Sequence, residues 1–387
     1  MNKKELELYI HIPFCVRKCS YCDFLSAPAT EQTREAYMAA LFAEIGGRAK
    51  DYSDRTVTSI FIGGGTPSLL SGEQIGQLMD RIREQFAMAQ DAEITMEVNP
   101  GTASAEKLRN FYTAGINRLS IGMQSAQAEE LKNLGRIHDF EGFCQVYREA
   151  VEAGFTNINV DIMSGLPGQT LASYRDTLEK VLHLEPMPQH ISAYSLIVEE
   201  GTPFAAMAER GELPLPEEET ERAMYEETIE VLAKYGFHRY EISNYARDGY
   251  ECRHNVGCWI RRDYLGFGIG AASLIDNVRF QNEKSLGAYL AHPLESREEE
   301  QTLTVQDRME ETMFLGLRLT RGVSCVDFAE QYGRTVEEVY GEVIARNVAD
   351  GLLTVTERKE NQKKDRLLAL TKRGLDLSNY VMAQFLF

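Results

Sequence analysis

The sequence predicts an α/β protein whose parallel strands form a doubly wound sheet or a partial barrel, followed by a small α+β domain. Two observations lead to this prediction. Short β-rich runs alternate six times with amphipathic helical runs up to residue 245, and helical runs followed by a β-hairpin pattern occupy the chain from residue 301. Such alternation favours parallel strands joined by right-handed crossovers. Six units are fewer than the eight of a closed barrel, and a partial barrel would have a side opening for a large ligand.

Each of the six units has a local pattern of its own. Strands are predicted at residues 6–13, 56–62, 93–98, 118–123, 156–163 and 190–197. Helices are predicted at residues 31–45, 71–86, 104–115, 139–154, 171–184 and 219–236. The first strand, LELYIHIP, alternates apolar and polar residues as a half-buried strand does. Ser71 and Gln74 have the spacing of a capping box, which marks the start of the second helix.

The periodic pattern ends near residue 245, and this break divides the chain into three predicted regions. Residues 1–245 form the barrel, and residues 246–300 form a connecting region rich in glycine and aromatic residues. Residues 301–387 are predicted to form a winged-helix-like domain. A chain of 387 residues has room for one large and one small domain.

Composition and charge narrow the class of protein. Lys and Arg number 41 against 59 Asp and Glu, which gives a formal net charge of −18. Such a surface repels nucleic-acid phosphates, so nucleic acid is not expected as a partner. No apolar run approaches the ~20 residues of a transmembrane segment, and the charged start MNKKELELYIHIP has no signal-peptide core. With an odd number of cysteines, seven, we expect a cytoplasmic protein whose clustered cysteines bind metal or perform chemistry.

Three cysteines lie close together directly after the first predicted strand. Cys15, Cys19 and Cys22 have the spacing C-x3-C-x2-C. A structural zinc site needs four ligands, and the sequence has no second cysteine pair, although His11 remains open as a fourth ligand. An iron–sulfur cubane is usually held by four cysteine thiolates. Three thiolates would leave one iron with an open coordination position, at which a substrate can bind.

This arrangement resembles the radical S-adenosylmethionine (SAM) superfamily, with the cysteine loop after the first strand and GGGTPS after the second. The resemblance implies a partial (β/α)6 TIM-like barrel and a [4Fe–4S] cluster on the three cysteines, with SAM on the fourth iron. In that superfamily an electron from the cluster cleaves a C–S bond of SAM and gives a 5′-deoxyadenosyl radical. The positions that match SAM contacts of the superfamily are Tyr9, Tyr21, Gly64, Gly65, Thr66, Glu97, Gln124, Arg136 and Asp161.

Motifs along nearly the whole chain resemble the oxygen-independent coproporphyrinogen III oxidase-like group of that superfamily. They are YIHIPFC, GGGTPS, MEVNP, SIGMQS, DIMSGLPGQ and ISAYSL. The dehydrogenases of this group have a fourth cysteine two residues after the third, and an N-terminal extension. Here Phe24 stands at the fourth position and only eight residues precede Tyr9. Both departures favour the haem chaperone branch of the group, whose members have CDF at this place.

The segment HNVGCW at residues 254–259 resembles the HNxxYW motif of the haem chaperone branch, with cysteine in place of tyrosine. Histidine is a common axial ligand of haem iron. We therefore take His254 and Cys258 as candidate haem ligands. Members of the branch commonly have histidine where Ala272 stands, so we expect the haem site to differ in detail.

These resemblances imply a haem chaperone that binds a [4Fe–4S] cluster and SAM. It would carry haem as cargo and transfer it to apo-haemoproteins such as respiratory enzymes. An electron donor for the cluster is a further expected partner. Two alternatives stay open: an anaerobic coproporphyrinogen III dehydrogenase, and a radical methyltransferase that opens the haem ring.

Overall fold

A sheet of twelve strands forms the larger part of the described structure, a computed structural model of residues 4–295, 297–360 and 363–386. Its strands are β1 (Lys4–Ile12), β2 (Arg55–Gly64), β3 (Ala87–Val98), β4 (Arg118–Gln124), β5 (Ile158–Ser164), β6 (His190–Ser195), β7 (His238–Arg239), β8 (Asn244–Ala246), β9 (Tyr264–Phe267), β10 (Ala272–Ile275), β11 (Val278–Asn282) and β12 (Arg297–Thr302). Their spatial order is β12-β11-β10-β9-β1-β2-β3-β4-β5-β6-β8-β7. Strands β1 to β6 are parallel and adjacent in chain order, as the alternating sequence predicts.

Helices alternate with these strands. They are α1 (Glu31–Arg48), α2 (Gly72–Gln85), α3 (Ala105–Thr113), α4 (Ala128–Leu134), α5 (Phe140–Ala153), α6 (Leu171–Leu182), α7 (Pro203–Glu209), α8 (Glu218–Lys234), α9 (Arg253–Trp259) and α10 (Leu286–Ala291). The predicted capping box is confirmed, because Ser71 and Gln74 exchange side chain to backbone hydrogen bonds before α2. The six predicted units are confirmed too, although β3 begins at Ala87 and not at Glu93.

The strands of the barrel have an apolar outer face and a polar inner face. Leu6 and Leu8 of β1 are fully buried in a core shared with the helices. Since successive residues of a strand point to opposite faces, Glu7, Tyr9 and His11 lie on the inner side. The strand register continues this inner face through Ser59, Phe61, Thr95, Glu97, Arg118, Ser120, Asn159, Asp161 and Ser192. These polar side chains therefore converge inside the barrel.

The region after residue 245 contributes strands to the same sheet. Strand β9 pairs in parallel with β1 on the side away from β2, and β10, β11 and β12 follow as antiparallel neighbours. At the other edge, β8 and β7 lie antiparallel beside β6. The sequence did not predict these strands, and the boundaries at residues 245 and 300 stay predictions.

The last part of the chain forms a separate small domain. Its elements are α11 (Val305–Gly316), β13 (Val323–Ser324), α12 (Cys325–Tyr332), α13 (Val336–Ala349), β14 (Leu353–Glu360), β15 (Lys363–Leu370), α14 (Lys372–Asp376) and α15 (Ser378–Ala383). It has its own core, which includes Phe328, Tyr340 and Phe385. The order helix, strand, two helices and hairpin confirms the winged-helix-like prediction. In the part of the chain that the structure describes, no helix is long and apolar enough to cross a membrane.

Candidate cluster and cofactor site

The loop after β1 brings the three predicted cluster ligands to the carboxyl end of the sheet. Cys15, Cys19 and Cys22 are partly exposed free thiols that line one cavity of about 500 Å³. The loop is fastened to its surroundings, since Ser20 N donates a hydrogen bond to Leu134 O at 3.0 Å. Burial raises the pKa of the Cys22 thiol. Three thiols on one short anchored loop are a donor set that fits a [4Fe–4S] cluster.

His11 supports this loop from the end of β1. Its Nε2 lies 2.8 Å from Leu25 O, and its Nδ1 lies 3.0 Å from Tyr9 Oη. Because both ring nitrogens have partners, His11 is a structural residue and not the fourth metal ligand that the sequence left open. Burial lowers its pKa, which favours the neutral ring. Tyr9 itself stacks on Phe61 and does not line the cavity.

The glycine run after β2 packs tightly against the start of the cysteine loop. Gly64 has a φ of +107°, in the left-handed region that favours glycine. A Cβ at Gly65 would lie 2.7 Å from Phe14 O. Thr66 N donates to the same oxygen at 2.7 Å, and Thr66 Oγ1 lies 3.5 Å from Cys15 Sγ. Small residues are therefore required here, because the backbone of the loop after β2 must approach the start of the cysteine loop closely enough to form hydrogen bonds with it.

Two carboxyl groups face the cavity from β3 and β5. Glu97 Oε2 accepts a hydrogen bond from Gly64 N at 3.0 Å, and Asp161 Oδ1 accepts one from Asn159 Nδ2 at 2.6 Å. Burial, and then the charge of Asp161, raise the pKa of Glu97 to about 7. Burial also raises the pKa of Asp161. A cationic group bound near them would stabilise their charged forms.

Arg136 supplies the opposite charge. Its Nη2 donates to Gly122 O at 2.6 Å, and its Nη1 lies 3.9 Å from Cys19 Sγ. Its Nε is buried and has no hydrogen-bond partner among the described residues. An unpaired guanidinium N–H fits a ligand carboxylate, because the planar fork of arginine matches it. Gln124 has a φ of +70° and accepts a hydrogen bond from Tyr194 Oη at 3.0 Å.

Eight of the nine predicted SAM contacts line the same cavity as the cysteines. They are Tyr21, Gly64, Gly65, Thr66, Glu97, Gln124, Arg136 and Asp161. A space with carboxylates and a guanidinium beside three thiols fits a ligand that has ammonium, sulfonium and carboxylate groups, as SAM does. Phe24 lies at the rim with 59% of its surface exposed, and its carbonyl accepts a hydrogen bond from Lys18 Nζ at 3.0 Å.

The two candidate haem ligands lie elsewhere, on α9. The His254 ring is buried, stacks on Phe61 and has its Nδ1 3.0 Å from Ser59 Oγ. Burial lowers the pKa of His254 to about 3 and raises the pKa of Cys258 to about 12. Neither residue lines the cysteine cavity, although Asn255 between them does. The structure brings His254 and Cys258 close to each other and leaves them outside the cluster cavity.

Sequence reasoning missed several polar residues at the base of the cavity. Arg118, Ser120 and Asn159 line it, and Asn159 Nδ2 donates to Ser120 Oγ at 2.8 Å. A signal was present in the sequence: polar residues occupy alternate positions in RLSIGM and in INVDIM, which places them on one face of β4 and β5. The sequence predicts these strands, but their polar residues were not identified from it as the lining of a cavity.

Comparison with known proteins identifies the family of the chain. Residues 9–181 match the Radical SAM superfamily, and residues 303–377 match the HemN C-terminal domain. Heme chaperone HemW of Bacillus subtilis (strain 168) is 38% identical over 385 residues, 98% of each chain. Heme chaperone HemW of Lactococcus lactis is 36% identical over 387 residues, which are 100% of this chain and 98% of that protein.

A solved structure extends the comparison to the whole fold. Coproporphyrinogen III oxidase HemN of Escherichia coli, a radical SAM enzyme, has a TM-score of 0.84 and 28% identity. The match covers 99% of this chain and 90% of that chain. The fold and the cysteine loop therefore define a radical SAM protein, a class that implies a [4Fe–4S] cluster and SAM. Within that class, the chain belongs to the HemW branch of the HemN-like group, as its motifs predict.

Proposed function

We propose that this protein is a haem chaperone, which binds a [4Fe–4S] cluster and SAM, carries haem and transfers it to apo-haemoproteins such as respiratory enzymes. One observation supports this above all: two proteins named Heme chaperone HemW align with 98% and 100% of this chain at 38% and 36% identity. The likeness includes the barrel and the small domain, so the chain has the same parts as these relatives.

The proposed roles at the cysteine cavity follow from its donors. Cys15, Cys19 and Cys22 would hold three irons of the cluster and leave the fourth for SAM. When bound, the two groups supply one-electron chemistry at a sulfonium carbon. Glu97 would accept hydrogen bonds from the ammonium or ribose groups of SAM. Arg136 would bind its carboxylate through the N–H that has no partner in the described structure.

The proposed partners are haem, an apo-haemoprotein acceptor and an electron donor for the cluster. The formal charge of −18 favours acceptors and donors with basic contact surfaces. His254 and Cys258 stay predictions as haem ligands. For His254 to reach haem in the cavity that Asn255 lines, its ring must leave Phe61 and Ser59.

Anaerobic reconstitution of the cluster, followed by haem titration with and without SAM, tests the proposal. We expect about one haem per chain, the stoichiometry of a single axial-ligand site, and its transfer to an apo-haemoprotein. His254→Ala should weaken binding if His254 is the ligand, and His292→Ala, at an exposed histidine, is the matched control. Haem binding no tighter than that of an unrelated acidic protein would contradict the proposal.

The fold shared with HemN over 99% of the chain favours a second candidate, oxidation of coproporphyrinogen III. An anaerobic assay with coproporphyrinogen III, SAM and a reductant separates the two functions. The chaperone predicts no vinyl product, since Phe24 stands where the dehydrogenases of the group have their fourth cysteine. Formation of the vinyl product would favour the enzyme.

A further inference from the structure

A second set of potential metal ligands lies inside the barrel, apart from the cysteine cavity. Glu7 comes from β1, while His254 and Cys258 come from α9, where residues four apart share one face. A carboxylate oxygen, an imidazole nitrogen and the thiol Sγ of these residues all lie within 4.8 Å of one another. Ligand atoms around a tetrahedral Zn²⁺ are about 3.5 Å apart, so small side-chain rotations would close the site.

Glu7 gives independent evidence that a ligand is needed. Its side chain is fully buried, and Oε1 accepts a hydrogen bond from Arg262 Nη1 at 3.3 Å. Its Oε2 is buried and, within the described ranges, has no partner at hydrogen-bonding geometry; it lies 3.6 Å from His254 Nδ1, and the Ser59 hydroxyl interacts with the same carboxyl group. Burial raises the pKa of Glu7 to about 8 because its charge is costly in the protein interior, and buried charges are normally paired or bound to metal. The free oxygen is the one that faces His254.

The backbone of α9 approaches this carboxylate closely. A Cβ at Gly257 would lie 1.9 Å from Glu7 Oε1, so only glycine lets the helix come this near. The Ser59 hydroxyl lies 3.0 Å from His254 Nδ1, and Ser59 is the register partner of Glu7 on the neighbouring strand. Cys258 remains partly exposed, which leaves a route for a small ion.

We propose that Glu7, His254 and Cys258 bind a divalent cation of the zinc class, Zn²⁺ or Fe²⁺, with a water molecule or the Ser59 hydroxyl as the fourth ligand. A thiolate, an imidazole and a carboxylate together suit borderline cations of this kind and disfavour Mg²⁺ and Ca²⁺. On binding, the Cys258 thiol and the Glu7 carboxyl group, whose pKa burial raises to about 8, release their protons to solvent, and the sulfur and a carboxylate oxygen form bonds to the metal. This site is additional to the cluster. It uses His254 and Cys258, so a cation bound here excludes haem ligation by these two residues, and the proposal replaces that ligand assignment and not the haem chaperone function itself.

Two other interpretations account for less of the structure. A metal-free cluster would hold the Glu7 carboxyl group through Arg262 and Ser59 alone. It would leave the Cys258 thiol and the His254 imidazole without a hydrogen bond to that group. A haem iron ligated by His254 would leave Glu7 unexplained, because Glu7 does not line the cysteine cavity. A bare cation uses all three side chains.

The test uses the full chain with its cluster reconstituted, so that the cysteine loop is filled. Co²⁺ is added anaerobically, and absorption is recorded as a difference from the Cys258→Ser protein. We expect thiolate-to-cobalt charge-transfer bands, displacement of Co²⁺ by Zn²⁺, and about one Zn²⁺ per chain after gel filtration. Glu7→Gln and His254→Ala should lower the affinity by about tenfold or more. Cys144→Ser, at a partly exposed cysteine on α5, should change nothing.

The outcomes separate this proposal from the haem chaperone function. A wild-type spectrum identical to that of Cys258→Ser, or Zn²⁺ retained by both Cys258→Ser and His254→Ala, would overturn the metal site. Thermal unfolding of each variant without metal shows whether a loss of metal binding comes from misfolding. Glu7→Gln keeps the size of the side chain, and haem titration of this variant should give the same stoichiometry as the wild type.

Discussion

At the carboxyl ends of the barrel strands, polar side chains face a cavity and keep unused hydrogen-bonding groups, whereas at the amino ends charged side chains are closed into ion pairs. Glu97 has its pKa raised to about 7 at the carboxyl end. Arg136 has an N–H without a partner there, within the part of the chain that is described. At the amino end, Arg55 lies between Asp263 at 2.5 Å and Asp276 at 2.6 Å.

The small domain also contacts the barrel at the amino ends of its strands. Glu311 of α11 pairs with Arg261 and with Arg279, each at 2.8 Å, and Glu311 and Arg261 are almost fully buried. Buried charges at the amino end are therefore joined in ion pairs that stabilise the fold, whereas the charged groups at the carboxyl end face the cavity in which a ligand is predicted to bind. This division is typical of barrel folds, whose active sites lie at the carboxyl face. Mutations at the amino ends of the strands are therefore expected to lower stability, whereas mutations at the carboxyl ends are expected to impair binding of the cluster or of SAM.

The largest expected effect is on the cluster. Cys22→Ser removes one of three thiolates, so we expect almost complete loss of cluster iron and of its visible absorption. The free energy of unfolding of the apo-protein should change by less than about 1 kcal/mol, because the side chain is partly exposed. Cys144→Ser is the control and should keep its iron. Full iron content in Cys22→Ser would show that the three thiols do not hold the cluster.

A stability effect of about 3 kcal/mol is expected at the amino end from Glu311→Gln, since Arg261 would be left buried without its carboxylate. Urea unfolding measures it, and cluster content should be unchanged. Glu129→Gln breaks an exposed pair with Lys132 and should cost less than about 0.5 kcal/mol. Equal losses of unfolding free energy in Glu311→Gln and Glu129→Gln would contradict the prediction that a buried ion pair contributes more to stability than an exposed one.

Glu97→Gln should have the reverse effect on stability. The ordinary pKa of 4.5 is raised to about 7 in the fold, so the carboxyl group favours folding below pH 4.5 and this contribution is lost as the pH rises to about 7. At about pH 8 the amide should therefore stabilise the apo-protein by about 2 kcal/mol, and near pH 4 it should have little effect. SAM binding, measured by calorimetry, should weaken. Lower stability of Glu97→Gln at alkaline pH would contradict this interpretation.

The smallest effect concerns the glycine run. Gly65→Ala forces a Cβ to within 2.7 Å of Phe14 O and should cost about 1–2 kcal/mol and reduce cluster content. Gly76→Ala on α2 meets no atom within 4 Å and should stabilise the protein by about 0.5–1 kcal/mol. Thermal unfolding compares the two variants. Effects of the same sign would show that close packing of the loops is not what requires glycine.

The sequence predicted the six strand–helix units because each has a period that local residues determine. Strands β9 and β10 have no such period, since buried residues occupy three of the four positions in each and alternation is lost. The cysteine spacing placed the three predicted cluster ligands within one loop. The inner-face residues Arg118 and Asn159 needed the strand register, which is a property of the whole sheet.

The environment of the α9 residues could not be predicted for a similar reason. A local motif in the sequence identified His254 and Cys258 as candidate haem ligands. It gave no indication that Glu7, more than 240 residues earlier in the chain, lies against them. That contact depends on α9 packing beside β1 and β2, and no local pattern encodes it.

The pairing of β9 with β1 has a consequence for synthesis of the chain. Strand β1 obtains its second neighbour only when Phe267 has left the ribosome, because Ile10 pairs with Phe267. Until then one edge of the first strand is unpaired, and open edges invite association with other chains. The cysteine loop follows β1 directly. Its scaffold is therefore finished only after about two-thirds of translation, and we expect any insertion of iron and sulfide into this loop to follow that point.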